Sequence, residues 1–162
     1  MGLFSFIKNA GAKVFGIGKT YAEEAAEELA AKQKAEAVAA ASMEQTIQDL
    51  QLEVEELNIN INGDAASVTG KASNQATKEK IVLVIGNSKG IATVDDNMTV
   101  ENVEPEAQFH TVAKGDTLGK ISKIYYGNVM KYPIIFEANK PMLKSPDLIY
   151  PGQVLRIPHL QG

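Results

Sequence analysis

The stretch Leu57-Asn-Ile-Asn-Ile61, running directly into Asn62-Gly63, constrains this chain more than any other. Strict alternation of apolar and polar residues puts one face of a strand against a core and the other in water. Asn-Gly is the strongest short hairpin signal, and Ala66 and Val68 continue the alternation into a return strand. Such a pair buries its apolar face under helices. The next apolar run, Ile81-Val-Leu-Val-Ile85, ends in a loop bracketed by Gly86 and Gly90. Periodicity alone leaves it open between a buried strand and the last turns of a buried helix. As a helix, its final carbonyls would lack intrahelical partners and lie at the negative end of the helix dipole. The glycines permit positive φ, so the chain can wrap those carbonyls around something. Two readings stand: an ordinary glycine cap, or a cation site built from backbone oxygen.

Composition narrows the classes. At 162 residues the chain fits one domain or two small ones, and its 44% apolar content is that of a globular protein. The net charge of −4, with no basic patch, argues against nucleic acid as a partner. The absence of cysteine removes disulfides, thiolate metal sites and thiol catalysis. No run approaches the roughly 18 apolar residues of a membrane span, so stable membrane insertion is not expected. Met1-Gly-Leu-Phe-Ser-Phe-Ile-Lys8 lacks the long apolar region and cleavage site of a signal peptide, so export is not expected. Phe6 stands where a myristoylation pattern wants Ser or Thr. Leu3, Phe6, Ile7, Ala10 and Val14 fall on one face at helical spacing. This predicts a short helix docked on the chain's own domain, with a membrane surface as the other candidate.

Residues 20–56 are rich in Ala and Glu. Thr20-Tyr-Ala-Glu23 reads as a capping box that opens a helix, and Ser42-Met-Glu-Gln45 as a second that restarts it. Ile47 and Leu50 give the later part a core face, while the alanine-rich part reads as a solvated extension. Ser73 or Asn74 can cap a helix running through Ala76 and Lys80 to Ile85. Ile91-Ala-Thr-Val94 is then a third strand, extended or followed by residues 97–103. Helix, hairpin, helix and strand make an α+β unit.

The last third is a separate unit. Phe109-His-Thr-Val112 alternates as a strand, and Gly115-Asp-Thr117 supplies a turn and a helix cap. Leu118, Ile121, Ile124 and Tyr125 form a helical stripe broken at Gly127-Asn128. A second helix holds Ile134, Ile135 and Ala138, with Pro133 tolerable only in its first turn. Tyr150-Pro-Gly152 turns into the strand Gln153-Val-Leu-Arg-Ile157. Between the two units, Glu101-Asn-Val-Glu-Pro-Glu-Ala107 is a polar linker too short for independent wandering, so the flanking units should touch. His110 falls on a strand edge and His159 near the C-terminus, with no Ser or Cys partner motif, which predicts solvated side chains. No phosphate-binding loop, dinucleotide fingerprint or zinc motif appears, and an enzyme is not expected.

Asn60-Ile-Asn-Gly-Asp-Ala-Ala-Ser-Val-Thr-Gly70, followed by a helix and Gly90-Ile-Ala-Thr-Val-Asp-Asp96, resembles a BON domain. That resemblance favours the helical reading of residues 81–85 and implies helices packed on a three-stranded sheet. Gly115-Asp-Thr-Leu118, Tyr126-Gly-Asn128, Glu137-Ala-Asn139 and Ile149-Tyr-Pro-Gly-Gln-Val-Leu-Arg-Ile-Pro158 resemble a βααβ LysM domain over residues 109–158. Adding the start Met1-Gly-Leu-Phe-Ser-Phe-Ile-Lys8 and the run Phe136-Glu-Ala-Asn-Lys-Pro-Met-Leu-Lys-Ser-Pro-Asp147, nearly the whole chain resembles the small cytoplasmic BON–LysM potassium-binding protein (Kbp) family. The alanine- and glutamate-rich part at 20–42 is the main departure. The resemblance implies an N-terminal segment (1–19) packed on a BON domain (20–103), a linker (104–108) and a LysM domain (109–158). It implies a cytoplasmic, non-enzymatic ion sensor that binds K⁺, is ordered by it and serves a potassium or osmotic stress response. The backbone carbonyls of Ile7, Ala10, Ala12, Gly86, Ser88 and Ile91 would hold the ion. A hard monovalent cation prefers such oxygens, and carbonyl dipoles can replace its hydration shell. The alternative that the resemblance carries is N-acetylglucosamine polymer (peptidoglycan) binding, through Gly115, Asp116 and Thr117 facing Ile149 and Tyr150.

Overall fold

In a computed structural model, which describes residues 2–5 and 21–160, the elements run in the order β1 (Gly2–Ser5), α1 (Tyr21–Asp49), β2 (Val54–Asn62), β3 (Ala65–Ala72), α2 (Gln75–Gly86), β4 (Thr93–Val100), β5 (Gln108–Thr111), α3 (Leu118–Tyr126), a 3₁₀ turn (Val129–Lys131), α4 (Tyr132–Ala138) and β6 (Val154–Ile157). The fold is α+β. The alternating stretch forms the hairpin β2–β3, with Ile59 opposite Val68 and Ile61 opposite Ala66. Asn62 pairs with Ala65, so the turn residues are Gly63 and Asp64, one place later than the Asn-Gly signal suggests. Gly63 takes φ 65° and Asp64 does not adopt a positive φ. A glycine at the first central position is the type II′ solution, whose twist matches the flanking strands.

α2 then carries the chain back so that β4 lies parallel to β3, Val68 beside Asp96 and Ala66 beside Val94. The apolar run 81–85 is helix. Its start is fixed by Asn74, whose side chain accepts the Thr77 N–H at 2.8 Å. Ile81, Val82 and Ile85 are fully buried in a core with Ile47, Ile59, Val68 and Val94. Burial of this kind contributes on the order of 2 kcal/mol for each large aliphatic side chain.

The sheet has four strands rather than three, in the order β1-β4-β3-β2. β1 is the addition, antiparallel to β4, with Gly2 opposite Asp96 and Ser5 opposite Thr93. Helical spacing in the N-terminal segment therefore does not describe residues 2–5. Phe4-Ser5-Phe6 alternates in the sequence, and the open edge of β4 supplies backbone partners that a short isolated helix does not have. Leu3 is 73% exposed, whereas Phe4 packs against the core. Phe6, Ile7, Ala10, Ala12 and Val14 lie outside the described residues, as does Thr20.

α1 is one uninterrupted helix, so the Ser42 box does not restart it. The Ser42 carbonyl accepts the Thr46 hydroxyl at 2.9 Å inside the helix, and a cap requires a non-helical residue there. Residues 26–35 are exposed throughout. Beyond them Ala40, Met43 and Ile47 enter the core. α1 also lies along β2, the last strand of the sheet. The Glu44 carboxylate accepts the Ile59 N–H at 3.1 Å, and Glu36 accepts the Gly63 N–H at 2.8 Å.

The C-terminal unit is β5 and β6 paired antiparallel, with α3 and α4 over them. Its core is Val112, Leu118, Ile121, Ile135, Leu143, Leu155 and Ile157. Thr117 caps α3 by accepting the Lys120 N–H at 3.1 Å, and Gly127 ends it at φ 71°. Pro133 sits in the first turn of α4, where its missing N–H costs nothing.

Candidate functional site

The loop after α2 is built by competition for its last carbonyls. The Asn87 N–H donates to the Leu83 carbonyl at 2.9 Å and the Ser88 N–H to that of Ile85 at 3.1 Å. The Ser88 hydroxyl donates to the Val84 carbonyl at 2.7 Å. Gly90 takes φ 79°, which turns the chain so that the Ile91 N–H reaches the Ser88 carbonyl over a long 3.4 Å. Among the described residues no hydrogen bond of this turn ends on the carbonyl of Gly86 or Ile91. Of the three loop carbonyls that the resemblance implies, two thus accept no hydrogen bond of this turn among the described residues, and Ser88 accepts a long one. Ile91 leads straight into β4, where the Ala92 and Thr93 N–H groups donate to the Asp64 carbonyl at 2.7 and 3.2 Å.

The other three residues, Ile7, Ala10 and Ala12, lie outside the described residues. β1 is antiparallel to β4 and reaches Ser5 opposite Thr93, two residues from Ile91. Among the described residues no group of three or more His, Asp or Glu side chains could hold a metal ion.

The loop is anchored to the C-terminal unit. The Asn87 side chain accepts the Val154 N–H at 2.9 Å and donates to the Val154 carbonyl at 3.0 Å. Further back on α2, Glu79 is buried at the same seam. Its carboxylate accepts from Arg156 Nε at 3.0 Å, the Ala107 N–H at 3.1 Å and the Gln75 amide at 3.2 Å. Phe4 of β1 meets Phe109 of β5 with ring centroids 5.1 Å apart. Nearby, Asp96 is buried beside Lys78 at 3.4 Å. Burial pushes its carboxyl up, against the opposing Met98 N–H and the Lys78 ammonium. Sequence reading missed Asn87, Glu79 and Arg156, because their partners are 67 and 77 residues away.

Gly115, Asp116 and Thr117 lie at one end of the C-terminal unit together with the segment before β6. The Gly152 N–H donates to the Val112 carbonyl and the Val112 N–H to that of Gln153, both at 2.8 Å. Ile149 packs against the local core, and Tyr150 is 38% exposed. Each of the three loop residues already has a local partner. The Gly115 carbonyl accepts from Lys120 Nζ, Thr117 caps α3, and Asp116 accepts the Ala113 N–H at 2.9 Å.

His110 is not solvated, contrary to the expectation for a strand-edge histidine. Its Nε2 lies 3.0 Å from Asp116 Oδ2 and its Nδ1 lies 3.0 Å from Tyr125 Oη. The carboxylate can only accept, so the neutral ring carries its proton on Nε2 and accepts the tyrosine hydroxyl at Nδ1. Tyr125 comes within reach because it is on the buried side of α3, edge-on to the imidazole.

The Ala113 N–H, and after it His110, hold the Asp116 carboxyl below its ordinary value of 3.8. A depressed folded value stabilises above the unfolded value and is lost as pH falls through the folded one. Asp116→Asn should therefore cost about 1 kcal/mol at neutral pH. Melting curves of wild type and variant should converge as pH falls through the depressed carboxyl value of Asp116. A constant difference across that range would remove Asp116 from the acid dependence.

A family model described as the LysM domain matches residues 110–158. The chain is 44% identical over 160 residues to an Escherichia coli protein named Potassium binding protein Kbp, covering 98% of this chain and 99% of that one. It is 51% identical over 49 residues to an uncharacterized protein of Deinococcus radiodurans, a match that takes in 30% of this chain and 19% of that protein. No helix among the described residues is long and apolar enough to cross a membrane.

Proposed function

The chain belongs to the family of the potassium binding protein Kbp, and on that premise we propose that it binds K⁺ through backbone carbonyls at the end of α2. The observation that carries the reading is the pair of carbonyls, Gly86 and Ile91, that accept no hydrogen bond of this turn among the described residues, on a turn that also presents Ser88. Oxygen dipoles without formal charge suit a monovalent ion, whereas divalent ions favour carboxylates. The remaining oxygens would come from Ile7, Ala10 and Ala12. Residues 5 and 7 are at most about 7 Å apart along an extended chain, and Ser5 is already beside β4 at the end where Ile91 enters. The reading is of a BON-type unit that senses the ion in the cytoplasm, is ordered by it, and acts in potassium or osmotic stress without catalysing a reaction.

Titration calorimetry and thermal melting in K⁺-free buffer test it. K⁺ should give a saturable heat. It should also stabilise the fold by about 2.7 kcal/mol at one hundred times Kd, with little response to Na⁺. Absence of both heat and melting shift overturns the reading. Glycan binding through residues 110–158 is the second reading and rests on the family model. The same titration with N-acetylglucosamine oligomers in place of K⁺ decides it.

A further inference from the structure

Asn87 caps α2 with backbone angles of φ −82° and ψ 0°, and its side chain leaves the loop to meet both backbone groups of Val154. An amide that accepts from an N–H and donates to the carbonyl of the same residue pairs as a neighbouring strand would. Its orientation is not ambiguous, because Val154 N–H only donates and Val154 C=O only accepts. Asn139, buried in the C-terminal unit, does the same for Arg156. It accepts that N–H at 2.8 Å and donates to that carbonyl at 2.9 Å. The edge of β6 that faces away from β5 is therefore filled by two asparagines, one from its own unit and one from the loop of the other.

Asn87 stands between Gly86 and Ser88. We propose that it is the positioning residue of the ion loop: held by Val154, it fixes the preceding peptide plane, which aims the Gly86 carbonyl, and the following one, from which the turn carrying the Ser88 carbonyl sets out. The inference rests on the K⁺ reading above. It adds that affinity is set partly by a side chain that never touches the ion. By linkage, K⁺ must tighten the grip on β6 by the same factor that the grip tightens K⁺.

The test is K⁺ titration of the full chain as wild type, Asn87→Ala and Asn87→Asp, each at pH 7 and across the carboxylic acid range down to about pH 4. Asn87→Ala should weaken K⁺ binding about tenfold at every pH, on the order of one to two net hydrogen bonds. Asn87→Asp should be at least as weak at pH 7, because an ionised carboxylate faces the Val154 carbonyl. It should recover at low pH, where the protonated acid offers one O–H and one C=O in the places of the amide. The charged groups on the elements that meet here are Lys89 in the loop, Arg156 on β6 with its partner Glu79 on α2, and Lys80 and Glu137, whose charges interact with each other. Wild type and Asn87→Ala titrated in parallel remove their contribution. Should Asn87→Ala not fold, the acid recovery of Asn87→Asp makes the comparison within one protein. Wild-type binding with unchanged Kd in both variants overturns this inference alone. No binding by wild type overturns the reading beneath it and the inference with it.

Discussion

Replacing Glu79 with Ala should destabilise the folded chain by about 3–5 kcal/mol, the range for removing one partner of a buried ion pair. Glu79 is only 4% exposed, and its carboxylate serves three donors from three segments: Gln75 on its own helix, the Ala107 N–H in the linker and Arg156 on β6. Truncation leaves the Arg156 guanidinium, whose side chain is 14% exposed, with a lost counter-charge and the Ala107 N–H without its acceptor. The intact pair is weak evidence for stability, since both charges had to leave water. The double variant Glu79→Ala/Arg156→Met should therefore recover part of the loss. Urea unfolding of the four proteins of this cycle measures the coupling. A single-variant loss below about 0.5 kcal/mol, the scale of an ordinary surface substitution, would show that the seam does not depend on Glu79.

Gly70→Ala should cost about 3 kcal/mol, from backbone strain of order 1–3 kcal/mol together with a steric clash of similar size. Gly70 sits in β3 at φ 145°, opposite the place where β2 bulges between Glu55 and Asn58. A Cβ there would stand 3.0 Å from the Glu55 carbonyl oxygen, 3.1 Å from Val54 Cγ2 and 3.3 Å from Leu57 Cα. Two of these neighbours are backbone and cannot swing aside. The bulge itself places Glu56 at φ 53°, an uncommon conformation for a residue with a side chain. It is the likeness of β2 and β3 in length that hides it, since one extra residue on β2 leaves the alternation at Asn58 onward intact. Gly63→Ala makes a control: it has positive φ but nothing within 4 Å, so its loss should be strain alone, and smaller. Equal losses at the two sites would sink the steric account.

The parts legible in the sequence were those written in short-range chemistry. Alternation at 57–61, the Asn74 and Thr117 caps, and the Gly127 stop each act within a few residues, and each appears where the spacing puts it. The run 81–85 could not be assigned from its own residues, because a helix buried under a sheet and a buried strand share one composition. The surrounding elements resolved it. β1 was illegible for a different reason. Residues 2–5 are too few to show either period, and the deciding factor is the vacant edge of β4, about ninety residues away. The seam was invisible altogether. Asn87, Glu79 and His110 look like routine polar residues until tertiary contact supplies Val154, Arg156 and Asp116. Within the candidate site, the glycines of the loop marked it, while the commitment of each carbonyl depends on which N–H groups the turn brings within reach.

The carboxylates of Glu36 and Glu44 have a consequence beyond holding α1 in place. β2 ends the sheet, and a terminal strand with vacant N–H groups is a template onto which a foreign strand can add. Here the Ile59 and Gly63 N–H groups are already occupied by side chains of a helix lying alongside. An incoming strand would have to displace these carboxylates from a helix whose Ala40, Met43 and Ile47 are held in the core. The alanine- and glutamate-rich helix thus guards this edge of the sheet against strand addition while it stays docked.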